Sequence, residues 1–236
     1  MTRTAVIAGV GPGLGASVAR TFADHGCDVG LFARSESFVD DLATDLRETG
    51  VDAVAVPTDI SDPEAVARGF EVVREELGPV DVLVNHAASA SWRGLLGLSP
   101  EAFEEAWRVG AYGAFLCSRE AVRDMLEADG GTVIFTGATS AVRGRDGALG
   151  FSSAKFAARG MAESMARELG PQGIHVAHVV LDGQIATPGA LDSAPERDRE
   201  TYLDPDAVAE TYWHLVEQDR SAWTLELDLR PHVESF

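Results

Sequence analysis

Phe151 and Lys155 stand four residues apart in a run rich in Ala, Met and Leu that has no proline until Pro171. The spacing predicts a helix over 148–169 with both side chains on one face, so an ammonium and an aromatic ring share one site. Lys155 is also the only lysine of the chain; every other basic residue is an arginine. A second set of residues with chemistry in it is Gly9, Gly11, Gly13, Leu14 and Gly15, placed between an apolar, β-branched run at 3–8 and a helical pattern at 16–25. Strand, glycine turn and helix in that order suit a dinucleotide. Glycine lets backbone approach a pyrophosphate, and a helix N-terminus supplies free N–H groups and a positive dipole end. Arg34 and Ser35 follow the second strand (27–33), where a preference for NAD usually calls for a carboxylate. Arginine and serine suit a 2′-phosphate, which favours NADP(H) over NAD.

The elements that must position these groups alternate along the whole chain. Asp59 and Ile60 lie in the turn behind a third strand (53–57), where Asp59 is expected to approach an adenine edge. A fourth, fully apolar strand (80–84) runs into Asn85, His86 and Ala87; Asn85 is the only asparagine, and a histidine here has a proton to give near neutral pH. A long helical stretch (100–129), a fifth strand (132–136) and a loop with Arg143 and Arg145 precede the Phe151/Lys155 helix. The sixth strand (174–181) puts His175 and His178 on opposite faces, where packing is the expected role. Segment 188–203 is acidic and irregular, an expected substrate lid, and a last helix leads to a seventh strand at 224–229. This pattern predicts one Rossmann-like α/β domain over 1–236. Its doubly wound, seven-stranded parallel sheet carries helices on both faces and a crevice at the carboxyl ends of the strands.

Composition narrows the partners. Hydrophobic residues make up 45% of 236, with no apolar run long enough for a membrane span. The start, Met1-Thr2-Arg3, runs into a strand without a signal-peptide layout, so a cytoplasmic protein is expected. Cys27 and Cys117 are too few and too far apart for a disulfide framework or a metal cluster, and no metal is expected. With 19 basic and 38 acidic residues the net charge is −19, which argues against nucleic acid or anionic membrane. A small-molecule substrate remains.

The chain resembles the short-chain dehydrogenase/reductase family over essentially its whole length. The motifs are Gly9-x-x-x-Gly13-Leu14-Gly15, Asn85-His86-Ala87-Ala88 for the usual Asn-Asn-Ala-Gly, and Asp182-Gly183-Gln184-Ile185-Ala186-Thr187 for the usual Pro-Gly-x-Ile-x-Thr. By that resemblance Asn85, Ala87, Gly183, Ile185 and Thr187 join the cofactor site, with Ile185 and Thr187 at the nicotinamide carboxamide. Lys155 matches the lysine that holds the nicotinamide ribose. The family's catalytic tyrosine, serine and helical asparagine fall on Phe151, Ala138 and Gly110, none of which has a proton to exchange. The resemblance thus implies NADP(H) binding and hydride transfer to a small organic substrate with a nonstandard proton source. Thr139, Ser140 and His86 are the candidates beside Phe151 and Lys155, and Trp92, Arg93 and Arg143 are expected to overhang the crevice. A non-redox enzyme of this fold (isomerase, cyclase or lyase) and a noncatalytic NADP-binding protein are the alternatives. Pairing through the helices at 100–129 and 148–169 implies a homodimer or homotetramer.

Overall fold

The computed structural model describes residues 2–128 and 130–234. Apolar, mostly β-branched runs form β1 (Thr4–Ala8), β2 (Asp28–Ala33), β3 (Ala53–Pro57), β4 (Val82–Asn85), β5 (Gly131–Thr136) and β6 (Ile174–Leu181). With a last strand, Glu226–Leu229, they make one sheet in the order β3-β2-β1-β4-β5-β6 and then that strand, every pairing parallel. Strands buried on both faces have no polar alternation, which is why β6 is buried at all eight positions.

Helices cover both faces. α1 (Leu14–Asp24), α2 (Glu36–Glu48) and α8 (Pro205–Val216) lie over one, burying Phe22, Leu42 and Tyr212. α3 (Pro63–Glu76), α5 (Gly113–Glu127) and α6 (Leu149–Leu169) lie over the other around Phe70, Met125 and Ala158. Several helices start on a capping side chain followed by proline at the first helical position: Asp62 before α3, Ser99 before α4 (Pro100–Trp107) and Asp204 before α8. Cys27 and Cys117 are buried free thiols.

Two local features depart from the expected pattern. The stretch at 100–129 is interrupted by a π-helical turn, Arg108–Tyr112, between α4 and α5, and Asp129 lies outside the described residues. A side chain on Gly110, inside that turn, would come within 3.0 Å of the Ala154 methyl. The glycine lets the bent rod pack closely against α6 one residue before Lys155. Segment 188–203 is more regular than an irregular lid: it holds α7 (Pro188–Ser193) and β8 (Tyr202–Leu203), which pairs with β7 (Gln184–Ile185) in a separate two-stranded sheet. Tyr112 faces away from the crevice, half-buried in a row between Trp107 and Phe115, with centroids 6.1 and 6.2 Å away. With the strand at Glu226–Leu229 named β9, the order of the sheet reverses between β1 and β4. The loops after those strands part there and open a crevice.

Candidate functional site

A cavity of about 1360 Å³ fills that crevice. Its floor is the loop from Gly9 to Leu14 and Gly15, whose glycines have different reasons to be there. Gly9 has φ +112°, and a Cβ on it would sit 2.4 Å from the Ala87 backbone nitrogen; one on Gly13 would sit 2.6 Å from the Thr187 methyl. A Cβ on Gly15 would press on the Gly9 carbonyl oxygen at 2.7 Å. Gly11 differs: among the described residues nothing lies within 4 Å of where its side chain would be. The fold therefore does not require that glycine, but a group approaching backbone from the cavity does. α1 begins beside it with no side-chain cap, so its first N–H groups and its positive end are left for an anion. The cradle fits a pyrophosphate.

At one end of the cavity Arg34 is largely exposed, with the Glu105 carboxylate 3.8 Å away. Asp59 accepts from Ser61 N at 2.9 Å and Ser61 Oγ at 2.8 Å, and these bonds lower its pKa. Ile60 and Ala87 line the wall between. Ser35 does not: it is the exposed N-cap residue of α2. Nor does Asn85 line it. As the last residue of β4, it points into the helix layer, where Nδ2 donates to Ser118 Oγ at 3.0 Å. There it borders, with Gly110 and Lys155, a separate void of about 10 Å³.

The other end holds α6 and the loop after β5. Lys155 Nζ donates to Thr136 O at 2.6 Å and lies 5.6 Å from the Phe151 ring centroid. Burial brings its pKa down to about 8. Phe151 is met by Trp92 at 5.7 Å, which caps an apolar wall where a tyrosine hydroxyl is absent. His86 is in the wall beneath, its Nδ1 3.3 Å from Thr136 Oγ1, which also accepts from Tyr212 at 2.9 Å. Burial, then the Lys155 charge, pushes the His86 pKa to about 4, so it is neutral at pH 7 and unsuited to giving a proton there.

Ala138, in extended backbone, leaves the next two residues as the hydroxyls of this wall. Thr139 Oγ1 donates to Asp182 Oδ1 at 2.5 Å, while Ser140 Oγ is buried with no hydrogen-bond partner among the described residues. Gly183, packed on Pro231, together with Ile185 and Thr187, closes the side toward 188–203. Thr187 caps α7 by accepting from Ala190 N at 3.2 Å. Trp92 and Arg143 overhang the cavity as expected, but Arg93 does not line it and turns back onto the Trp92 carbonyl.

Asp182, a carboxylate standing where the family carries proline, lines the cavity as its place at a strand end implies, while its partners depend on how β5 and β6 pair. Arg197, on 188–203, reaches the cavity while tied to Gln184 and Thr201, and nothing in an acidic stretch singles it out. Among the described residues no cluster of His, Cys, Asp and Glu suits a metal ion, and no helix is long and apolar enough to cross a membrane.

A family model described as short chain dehydrogenase matches residues 3–197. A 3alpha-hydroxysteroid dehydrogenase of Mediterraneibacter gnavus is 30% identical over 177 residues, 74% of this chain and 70% of that protein. A short-chain dehydrogenase structure from Rhodopseudomonas palustris shares 31% identity and a TM-score of 0.83, covering 98% of this chain and 99% of its own. An alcohol dehydrogenase from Thermococcus sibiricus, solved with 5-hydroxy-NADP, shares 27% identity and a TM-score of 0.89, covering 100% and 99% of the two chains.

Proposed function

The chain belongs to the short chain dehydrogenase family, and from that premise we propose that it is an NADP(H)-dependent oxidoreductase exchanging a hydride with a small organic substrate. The observation that carries this reading is the joint presence, in one cavity, of the open Gly11 cradle at the start of α1 and the buried Lys155 ammonium. The glycine loop and α1 would hold the pyrophosphate, Arg34 the 2′-phosphate, and Asp59 and Ile60 the adenine side. Lys155 would hold the nicotinamide ribose, and Ile185 and Thr187 the carboxamide. The dinucleotide, when bound, would supply or accept the hydride.

This chain's residues then orient the substrate against the Phe151–Trp92 wall and exclude water from it. Proton transfer does not come from residue 151. A positioned acid contributes about 10² to 10⁴ in rate, so ketone reduction by the native protein is expected to be slow by roughly that factor. The same missing groups at Phe151, Ala138 and Gly110 favour a second reading, a non-redox enzyme or a noncatalytic NADP-binding protein of this fold. Consumption of NADPH with a panel of ketones, enones and imines, or of NADP+ with secondary alcohols, separates the two. Turnover with any of them supports the oxidoreductase. Tight NADPH binding with no turnover on any overturns it.

The protein is read as a cytoplasmic homodimer or homotetramer. The surface of α4, α5 and α6 supports an oligomer: Trp107, Phe115 and Phe156 are each over 40% exposed, a poor arrangement for an isolated chain.

A further inference from the structure

The loop after β5 and the residue just past β6 meet in a bond that decides which substrates the site can hold. Thr139 Oγ1 donates to Asp182 Oδ1 at 2.5 Å. Asp182 is only 6% exposed and is also approached by Arg143 Nη2 at 3.3 Å and Arg230 Nη2 at 3.2 Å. An ionised carboxylate only accepts, and a threonine hydroxyl has one proton. With that proton spent on Asp182, Thr139 offers the cavity lone pairs and nothing else.

The other hydroxyls do not make up for it. Ser140 Oγ is buried, the Tyr212 hydroxyl is committed to Thr136, and positions 138 and 151 carry none. Of the cations at this end, Arg143 overhangs the cavity with Nη2 turned to Asp182 at 3.3 Å, and Lys155 donates to Thr136 O and is assigned to the ribose. At Thr139 a ketone oxygen, which needs a donor, meets an acceptor; a hydroxyl finds what it needs.

Resting on the hydride-transfer reading above, we propose that the substrate presents a hydroxyl to Thr139, which accepts its hydrogen bond because Asp182 holds the threonine proton. Thr139 touches the substrate, and Asp182 is the positioning residue behind it. In turnover the substrate O–H proton passes to Thr139 Oγ1 as the threonine proton passes to Asp182. The electron pair of the carbinol C–H bond leaves as hydride to the oxidised nicotinamide dinucleotide, and the substrate becomes a carbonyl compound. Asp182 afterwards returns its proton to solvent.

The test needs no turnover. Isosteric pairs, cyclohexanol with cyclohexanone and 1-tetralol with 1-tetralone, are titrated into the protein–NADPH complex with NADPH fluorescence as readout. The native protein is expected to bind each alcohol about tenfold more tightly than its ketone, the worth of one satisfied against one unsatisfied hydrogen bond. Thr139→Val should bring the ratio to about one, and Thr139→Ser should restore it. In Asp182→Asn the amide can donate to Thr139 and turn its proton to the cavity, so the preference should swing toward the ketone. A purely structural role for Asp182 would move both affinities together. Equal or better ketone binding in the native protein, or an alcohol preference that survives Thr139→Val, overturns the proposal. Should Asp182→Asn fail to fold, the valine and serine variants decide it. Absence of any NADPH fluorescence change removes the parent reading and this one together, whereas NADPH binding with equal alcohol and ketone affinities removes this one alone.

Discussion

Lys155→Met is expected to unfold at a higher temperature than the native protein at pH 7 while losing most of its affinity for NADPH. The lysine is 5% exposed and has one hydrogen bond, to Thr136 O. Burial lowers its pKa from 10.5 to about 8. That shift corresponds to roughly 3 kcal/mol of cost for keeping the charge in the folded chain. Below about pH 8 the lysine is protonated in both folded and unfolded states, and the whole cost is present. Between about 8 and 10.5 the folded protein has released the proton and the unfolded chain has not, so the cost shrinks as pH rises. Methionine removes the charge at similar length and gives up about 1 kcal/mol for the orphaned Thr136 carbonyl. The net gain, about 2 kcal/mol, amounts to a Tm increase of roughly 4–8 °C for a chain of this size. Thermal unfolding of both proteins at pH 7 and pH 10.5 checks it: the advantage should disappear at the higher pH. A methionine variant less stable at pH 7 would mean that the buried ammonium is stabilising. A residue kept at a cost to the fold is a residue kept for a ligand.

Phe151→Tyr is expected to raise NADPH-dependent ketone reduction by about 10² to 10⁴, the usual contribution of a positioned acid. The new hydroxyl would extend from a ring already fixed by Trp92 at 5.7 Å and overlooked by Lys155 Nζ at 5.6 Å. A cation at that range favours the phenolate and so brings the phenol toward a useful pKa. NADPH affinity should be unchanged, because the tyrosine adds nothing to the cradle at Gly9 to Gly15. Adding Ala138→Ser should raise the rate again by supplying the missing donor to the carbonyl oxygen. Gly110 is a different matter. Its Cβ would press on Ala154 at 3.0 Å, so an asparagine there disturbs the helix pair before it helps catalysis. Steady-state rates on one ketone that the native protein reduces poorly decide the point, and a Phe151→Tyr rate within threefold of native would contradict it.

The sheet was legible because its strands are continuous apolar runs between turn residues and helices, and the order of the elements left few ways to wind them. Strand ends followed: Gly9, Arg34, Asp59, Gly137 and Asp182 do converge on one cavity. Residues whose direction depends on the last half-turn of backbone were less legible. Asn85 and Ser35 sit at the right strand ends but point into a helix layer and into solvent, and period-two alternation does not resolve a residue at the point where the strand stops. The Thr139–Asp182 bond joins positions 43 apart and rests on the β5–β6 register, with Thr136 opposite Val179. No local pattern reports that. His86 shows the converse, since its residue type suggested a proton donor and its burial makes it neutral.

Central to the proposed function is the reading that this cavity would select a 2′-phosphorylated nicotinamide dinucleotide through Arg34. Calorimetric titration of the native protein and Arg34→Ala with NADPH and with NADH tests it most directly. NADPH should bind more tightly than NADH to the native protein. Arg34→Ala should weaken NADPH by about ten- to a hundredfold, the worth of a charge-assisted pair, and leave NADH within a factor of about two. Equal losses for both dinucleotides, or no binding of either to the native protein, would contradict it.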